Sequence, residues 1–252
     1  MNLQLAIWLP YWRLRMRYHR YTVEGLEHLD GPQAKLIAGY HGRGVALDMC
    51  MLNIAIYDRL HYMPHSLMHR VSALVPWWHW LLDGLEFFVG DGPALAAAVR
   101  RGEHLIVTPG GAQEACRRWD DSYRVHWGEH VGYVRLAVKY GLPIVPVGAA
   151  GADSTYIGLN DGPAFGRRLG IPKNYAYLAW LGLGPLGLYP WSPPFPARFH
   201  QIVGAPIDPH DDGVTSPGDR DGLLRVHRRV AASVQVLIDR ARERVRNKEV
   251  SR

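Results

Sequence analysis

The chain has 252 residues, 48% of them hydrophobic and 21% charged, which suits one α/β domain with a full core. A net charge of +6 favours anionic partners: phosphates, CoA, anionic lipid or nucleic acid. The two cysteines, Cys50 and Cys116, exclude a disulfide framework and a four-cysteine metal site, and a reducing compartment is the default.

Residues 3–12 are apolar but interrupted by Pro10, too short to span a bilayer and without the basic start of a signal peptide. Arg13, Arg15 and Arg17 alternate with Leu14, Met16 and Tyr18. This period of two predicts a strand with an arginine-rich face. That face is either a charged edge or a contact with anionic lipid. Residues 1–20 are therefore read as a basic, aromatic membrane-contact segment, 21–209 as the main domain, and 210–252 as a polar turn and a C-terminal helix packed on it.

The apolar run Leu36-Ile37-Ala38 predicts a buried strand. Helices are predicted over 45–56, 66–82, 93–101 and 131–140. Strands are predicted over 85–89, 104–108, 144–147 and 198–203. Alternating strands and helices argue for an α/β fold: one domain, with a mixed, mostly parallel sheet flanked by helices. The uncharged run 174–197 holds Pro185, Pro190, Pro193, Pro194 and Pro196, so it is no regular helix. It reads as a hydrophobic loop, lying on the protein or dipping into a membrane interface. Leu223, Val230, Val234, Leu237, Ala241 and Val245 mark one face of a long C-terminal helix.

Two segments could carry chemistry. In Tyr40-His41-Gly42-Arg43-Gly44-Val45-Ala46-Leu47-Asp48, a His follows a strand end and an Asp follows the His. His41 is a candidate general base and Asp48 a candidate orienter of its imidazole. The plainer alternative is a His that ends a strand and an Asp in the first turns of a helix. In Thr108-Pro109-Gly110-Gly111-Ala112-Gln113-Glu114-Ala115-Cys116-Arg117, a strand runs into a glycine turn. Gly110 and Gly111 could present N–H groups to an anion or oxyanion. Arg117 and Arg118 could meet phosphate, or be solvated. His61, His65 and His69 recur every four residues, but Pro64 interrupts them and no carboxylate completes a ligand set, so no metal is expected. Neither a nucleophile elbow, nor a P-loop, nor a nucleic-acid module is present in the sequence.

Taken in order, these segments resemble the glycerolipid (PlsC-like) acyltransferase superfamily, on its diacylglycerol-acyltransferase-like branch. The superfamily's motif has a His, usually four residues, then an Asp; here six separate His41 from Asp48. Gly84-Leu85-Glu86-Phe87-Phe88-Val89-Gly90 is similar to the second motif, with Gly90 where an arginine is usual. Pro109-Gly110-Gly111 followed by Glu114 is similar to the neutral-lipid branch. Gly132 to Val147 and Val203 to Ile207 resemble the closing segments.

The resemblance implies transfer of a fatty acyl group from acyl-CoA, or acyl carrier protein, to a glycerolipid hydroxyl. His41 would be the base, Asp48 its orienter, and Gly110, Gly111, Glu114 and Arg117 the substrate-binding residues. It implies no cofactor beyond the acyl-CoA co-substrate, no nucleic acid, and peripheral attachment to the cytoplasmic side of a membrane. Residues 77–82 and 178–191 would hold acyl chains and seat the protein on the bilayer. The alternative is a lipid- or acyl-CoA-binding homologue without catalysis.

Overall fold

A computed structural model describes residues 3–67, 80, 84, 85, 87, 88 and 90–250, without the side chains of 248–250. In chain order the elements are α1 (Leu3–Tyr18), β1 (Thr22–Glu24), β2 (Leu36–Gly39), α2 (Arg43–Leu60) and β3 (His65–Ser66). There follow α3 (Pro93–Arg100), β4 (Leu105–Val107), α4 (Gly111–Ala115), α5 (Gly132–Tyr140), β5 (Ile144–Ala150) and β6 (Ile157–Gly158). The chain closes with α6 (Gly162–Arg168), β7 (Gly182–Gly184), β8 (Gly187–Leu188), β9 (His200–Val203) and α7 (Arg220–Val250).

Six strands form one mixed sheet in the order β1-β9-β5-β2-β4-β3. Neighbours are parallel except β5 and β9, which run antiparallel. β2 and β5 are buried along their whole length. Side chains of β2 alternate between two apolar clusters: Leu36 and Ala38, with Tyr40 just beyond the strand, enter one, Ile37 the other. Both sheet faces are therefore covered, which explains the unbroken apolar runs of the central strands. A second, three-stranded sheet, β6-β7-β8, lies with α6 between β5 and β9 in the chain.

α7 covers β5 and β9. It buries Leu223, Val226, Val230, Val234, Leu237, Ile238 and Ala241, at i, i+3 and i+4 spacings. Gly148 sets how closely it packs: a Cβ there would lie 2.4 Å from the Ile238 backbone nitrogen.

Three expectations need correction or limits. Residues 13–18 are helical, the last turns of α1. The short period-two run is outweighed by a helical pattern over a longer window, in which Trp8, Leu9 and Trp12 are buried. The run 174–197 is not a bare loop; it contains β7, β8 and a single 3-10 turn, Ala176–Ala179. Ser66, expected to open a helix, ends β3, and Leu67 bridges Phe88. Trp77 and Trp78, most of the rest of the predicted 66–82 helix, Glu86, Val89 and His69 lie outside the described residues.

Gly148→Ala should overpack the β5–α7 contact and cost about 1–3 kcal/mol of unfolding free energy. Urea denaturation checks this; an unchanged midpoint would show that α7 is not seated on Gly148.

Candidate active site

The parallel strands β2, β4 and β5 end at the same edge of the sheet, and each is followed by a segment that contributes to one site. Such carboxyl ends are where open α/β sheets hold ligands. β2 delivers Tyr40 and His41, β4 leads to Gly110–Arg117, and β5 leads to Asp153.

The main chain of His41 is gripped from two sides. Its N–H donates to Glu114 Oε2 at 3.0 Å, and its carbonyl accepts from Arg117 Nη2 at 2.9 Å. The other Glu114 oxygen accepts from the His126 N–H at 2.9 Å. Arg117 also donates through Nε to the Glu114 carbonyl at 2.5 Å, and through Nη1 to the Arg124 carbonyl at 2.9 Å and to the Tyr40 hydroxyl. Its side chain lies over the Tyr40 ring, 4.4 Å from the centroid.

Asp153 closes this network. It accepts from the Tyr40 hydroxyl and, at 2.5 Å, from the Tyr123 N–H. It faces Arg117 at 3.8 Å and Arg43 at 3.6 Å. Arg43 donates to the Tyr156 carbonyl (2.6 Å), the Arg118 carbonyl (3.1 Å) and Ser122 Oγ (2.7 Å). Tyr40, Arg43, Glu114, Arg117 and Asp153 are all buried. Burial pushes the Tyr40 hydroxyl and the Glu114 carboxyl above their ordinary pKa values. The Arg117 charge and the main-chain N–H donors oppose the rise at Glu114.

Within this network the imidazole of His41 keeps one ring nitrogen free of a hydrogen bond to the described residues. Its Nδ1 lies 2.7 Å from the Gly42 carbonyl. A carbonyl only accepts, so Nδ1 carries the proton and Nε2 the lone pair. Burial lowers the His41 pKa to about 4; the Gly42 hydrogen bond opposes this and the Arg117 charge adds to it. The ring is therefore neutral at pH 7, with Nε2 ready to take a proton.

Asp48 differs from expectation. Its Oδ1 accepts from the Gly42 N–H at 3.3 Å, and no hydrogen bond reaches the imidazole. Its Oδ2 is buried without a hydrogen-bond partner among the described residues, and burial raises its pKa to about 7. Backbone N–H groups and Asp153 perturb it less. The two residues beyond the usual spacing are taken up at the start of α2. There Gly44, Val45 and Ala46 leave helical geometry, with φ of 68° at Gly44 and 51° at Ala46. Asp48 thus fastens the loop that carries His41 and does not orient its ring.

The other expected substrate-binding residues also take different places. The Gly111 N–H closes a turn onto the Thr108 carbonyl at 3.0 Å, so it is not an oxyanion donor. Gly110 provides space: a Cβ there would lie 2.2 Å from Glu114 Cδ. The glycine pair lets Glu114 fold back under His41. Glu114 and Arg117 are spent on the protein itself, four of the five Arg117 N–H groups being donated within it. Arg118 is exposed and pairs with Asp120. Tyr40, Arg43 and Asp153 were not singled out from sequence. The one available signal was their position just beyond strand ends.

No protein-family profile matches the chain. Among solved structures it resembles the 1-acyl-sn-glycerophosphate (LPA) acyltransferase PlsC of Thermotoga maritima, with a TM-score of 0.57 and 16% identity over 94% of this chain and 78% of that one. The fold is that of the PlsC-like acyltransferases. In sequence the chain is 26% identical over 210 residues to the "DGAT1/2-independent enzyme synthesizing storage lipids" of Gallus gallus, covering 79% of this chain and 55% of that protein. The human protein of the same description is 26% identical over 228 residues, covering 88% and 62%. An uncharacterized Mycobacterium leprae protein is 25% identical over 232 residues, covering 85% and 58%. The chain thus spans 55% to 62% of the length of these three relatives. Fold and sequence together bear out the resemblance to the glycerolipid acyltransferase superfamily.

The raised Asp48 pKa has a testable sign. Below an unfolded value near 4 the carboxyl is protonated in both states and adds its full relative stability. As the pH rises through about 7 the folded state must bury the charge, and that stability is lost. Asp48→Asn should therefore gain on the wild type between pH 5 and pH 8, by on the order of 1–3 kcal/mol. Parallel stability profiles for the two proteins across that range would show that Asp48 does not titrate this way.

Proposed function

We propose that this protein is an O-acyltransferase that moves a fatty acyl group from acyl-CoA to a glycerolipid hydroxyl. The observation that carries the proposal is the neutral His41 ring, fixed by Gly42 so that Nε2 is basic, in a PlsC-like fold. In the step we propose, Nε2 takes the proton of the acceptor hydroxyl as its oxygen attacks the thioester carbonyl. The tetrahedral intermediate collapses, the C–S bond breaks, and the imidazolium returns its proton to the departing CoA thiolate. Transfer is direct. Burial pushes the Cys116 thiol up to about 12 and raises the Cys50 thiol as well, so neither offers a thiolate nucleophile at neutral pH.

The acceptor we favour is a neutral glycerolipid, a mono- or diacylglycerol. Position 90 is glycine where the phosphate-acceptor pattern has arginine, and Arg117 is turned inward. The similarity to enzymes described as synthesizing storage lipids points the same way. Acyl carrier protein is the alternative donor. A second reading, a lipid- or acyl-CoA-binding homologue without turnover, draws on the missing Asp48–imidazole hydrogen bond.

Labelled acyl-CoA offered with monoacylglycerol, diacylglycerol and lysophosphatidate separates these readings. Product should form fastest on the neutral acceptors. His41→Ala should lower turnover by about 100- to 10,000-fold with the fold intact. A His41→Ala protein with near-wild-type turnover would remove the base assignment, and no product from any acceptor or donor would favour the binding homologue. The pH profile adds a third arm. The base loses its lone pair only below about pH 4, so kcat/KM should hold to about pH 5. An acid limb centred at 6.5, the ordinary His value, would contradict the lowered pKa of His41.

A further inference from the structure

Two buried side-chain atoms of opposite character have no hydrogen-bond partner among the described residues: Asp48 Oδ2, an acceptor, and Gln201 Nε2, a donor. Both residues are fully buried. A polar group left unpaired at that depth costs its full desolvation, so native cores keep few of them. The fold brings these two to the same corner of the molecule.

Gln201 lies on β9 opposite Ala149 of β5, two residues along from the pair Val203 and Val147. Side chains alternate along a strand, so Gln201 shares a sheet face with Val147 and Val203. Those two valines pack with Met49, Leu52 and Ile56 of α2. The other face, reached by Ile202, belongs to Leu237 and Ala241 of α7. Gln201 therefore points to the side of the sheet that α2 covers. Ala149 is near the carboxyl end of β5, the edge of the sheet where α2 starts. Asp48 sits in that start, next to Met49.

Tyr21 sets how the amide is turned. Its hydroxyl donates to Gln201 Oε1 at 2.6 Å, which leaves the amide N–H groups for another acceptor. The reverse orientation would turn the amide oxygen toward a carboxylate. Burial raises the Tyr21 pKa, and the Asp48 charge adds to it, as a neighbouring anion does. A main-chain device aims Tyr21 inward. At the end of α1 the Tyr21 N–H donates to the Met16 carbonyl at 2.8 Å, and the Arg20 N–H to the Arg17 carbonyl at 3.1 Å. Arg20 takes a φ of 48°, the left-handed position where such a helix end favours glycine. A larger residue persists there when its surroundings hold it.

We propose that Tyr21 and Gln201 are positioning residues for the His41 loop: Tyr21 orients the Gln201 amide, the amide donates to Asp48 Oδ2, and Asp48 holds the Gly42 N–H. The chain of bonds runs from the end of α1 to the residue whose carbonyl fixes the imidazole. Asp48 then has a donor on each oxygen, as a carboxylate in an apolar setting requires. The other ionisable groups around it supply none. Asp153 adds like charge, and the neutral Cys50 thiol is turned to the Val45 carbonyl at 3.7 Å. The weight of this chain in turnover rests on the acyl-transfer reading; the hydrogen bonds themselves do not.

The test reads the full chain by NMR, without substrate. Carbon-13 in the aspartate carboxyl groups follows the titration of Asp48, with Asp48→Asn to assign its signal, and nitrogen-15 follows the Gly42 amide. Gln201→Met removes the donor at similar volume. It should raise the Asp48 midpoint by about one pH unit, the worth of one hydrogen bond to a charged group. Tyr21→Phe removes only a hydroxyl. It should raise the midpoint by less, and it carries the test if Gln201→Met does not fold. In both variants the Gly42 amide signal should move. An unchanged Asp48 midpoint in folded Gln201→Met, or in Tyr21→Phe if that alone folds, would overturn the proposal. So would a shifted midpoint with an unmoved Gly42 amide. With acyl-CoA and acceptor, each variant should lose about tenfold in kcat with KM little changed. Full kcat in both would overturn the positioning role. A wild type without turnover would remove the acyl-transfer reading, and the NMR result would still decide whether the chain of hydrogen bonds exists.

Discussion

The candidate site depends on one buried arrangement: Arg117 held between the His41 loop and Asp153. A guanidinium presents donors in a rigid fork, and here the fork joins the His41 carbonyl, the Glu114 carbonyl, the Tyr40 hydroxyl and the Arg124 carbonyl. The segments after β2, β4 and β5 are thereby tied at one point. Losing one partner of such a buried ion pair typically costs about 3–5 kcal/mol, since the other charge is left uncompensated. Its worth to the fold lies less in net stability than in fixing a loop that contains two glycines and the left-handed Ala46.

That rigidity fixes the position and tautomer of His41. Glu114 and Arg117 take the two polar groups of the His41 backbone, so the residue cannot slide along the strand end. Gly42 takes Nδ1, so the ring cannot exchange tautomers without losing a hydrogen bond. Asp48 anchors Gly42 from beneath, and a side chain at position 42 would meet Asp48 Oδ1 at 2.8 Å. A carboxylate that in the usual spacing is expected to face the imidazole is here one bond removed, acting through the loop. The positive φ angles of Gly44 and Ala46 are the backbone strain that accompanies the two additional residues.

Much of this fold was legible because central parallel strands leave unbroken apolar runs: Leu36 to Ala38 reads as a buried strand and Ile144 to Val147 as a strand, and both lie in the centre of the sheet. The long helix α7 was legible from its periodic apolar face. α1 was not, because alternating Arg13, Arg15 and Arg17 imitate a strand over too short a window. His41 stood out by its place after a strand and just before Gly42 and Gly44. The roles of Glu114 and Arg117 did not, since a polar side chain near a glycine turn reads equally well as reaching outward to a ligand or inward to the backbone. Only the tertiary arrangement decides, and here Gly110 leaves the space that draws Glu114 inward. Asp153 lies more than 100 residues from its partners Tyr40 and Arg43, and its place just beyond a strand end does not reveal that pairing.

The account stands on His41 being held neutral with its proton on Nδ1. Nitrogen-15 imidazole spectroscopy of the labelled full chain near pH 7, with His41→Asn to assign the signal, measures this directly. The account predicts a protonated Nδ1 and an unprotonated Nε2 that persist as the pH is lowered past 6 and change only near 4. A ring that is doubly protonated at pH 6, or a proton found on Nε2 at pH 7, would contradict it.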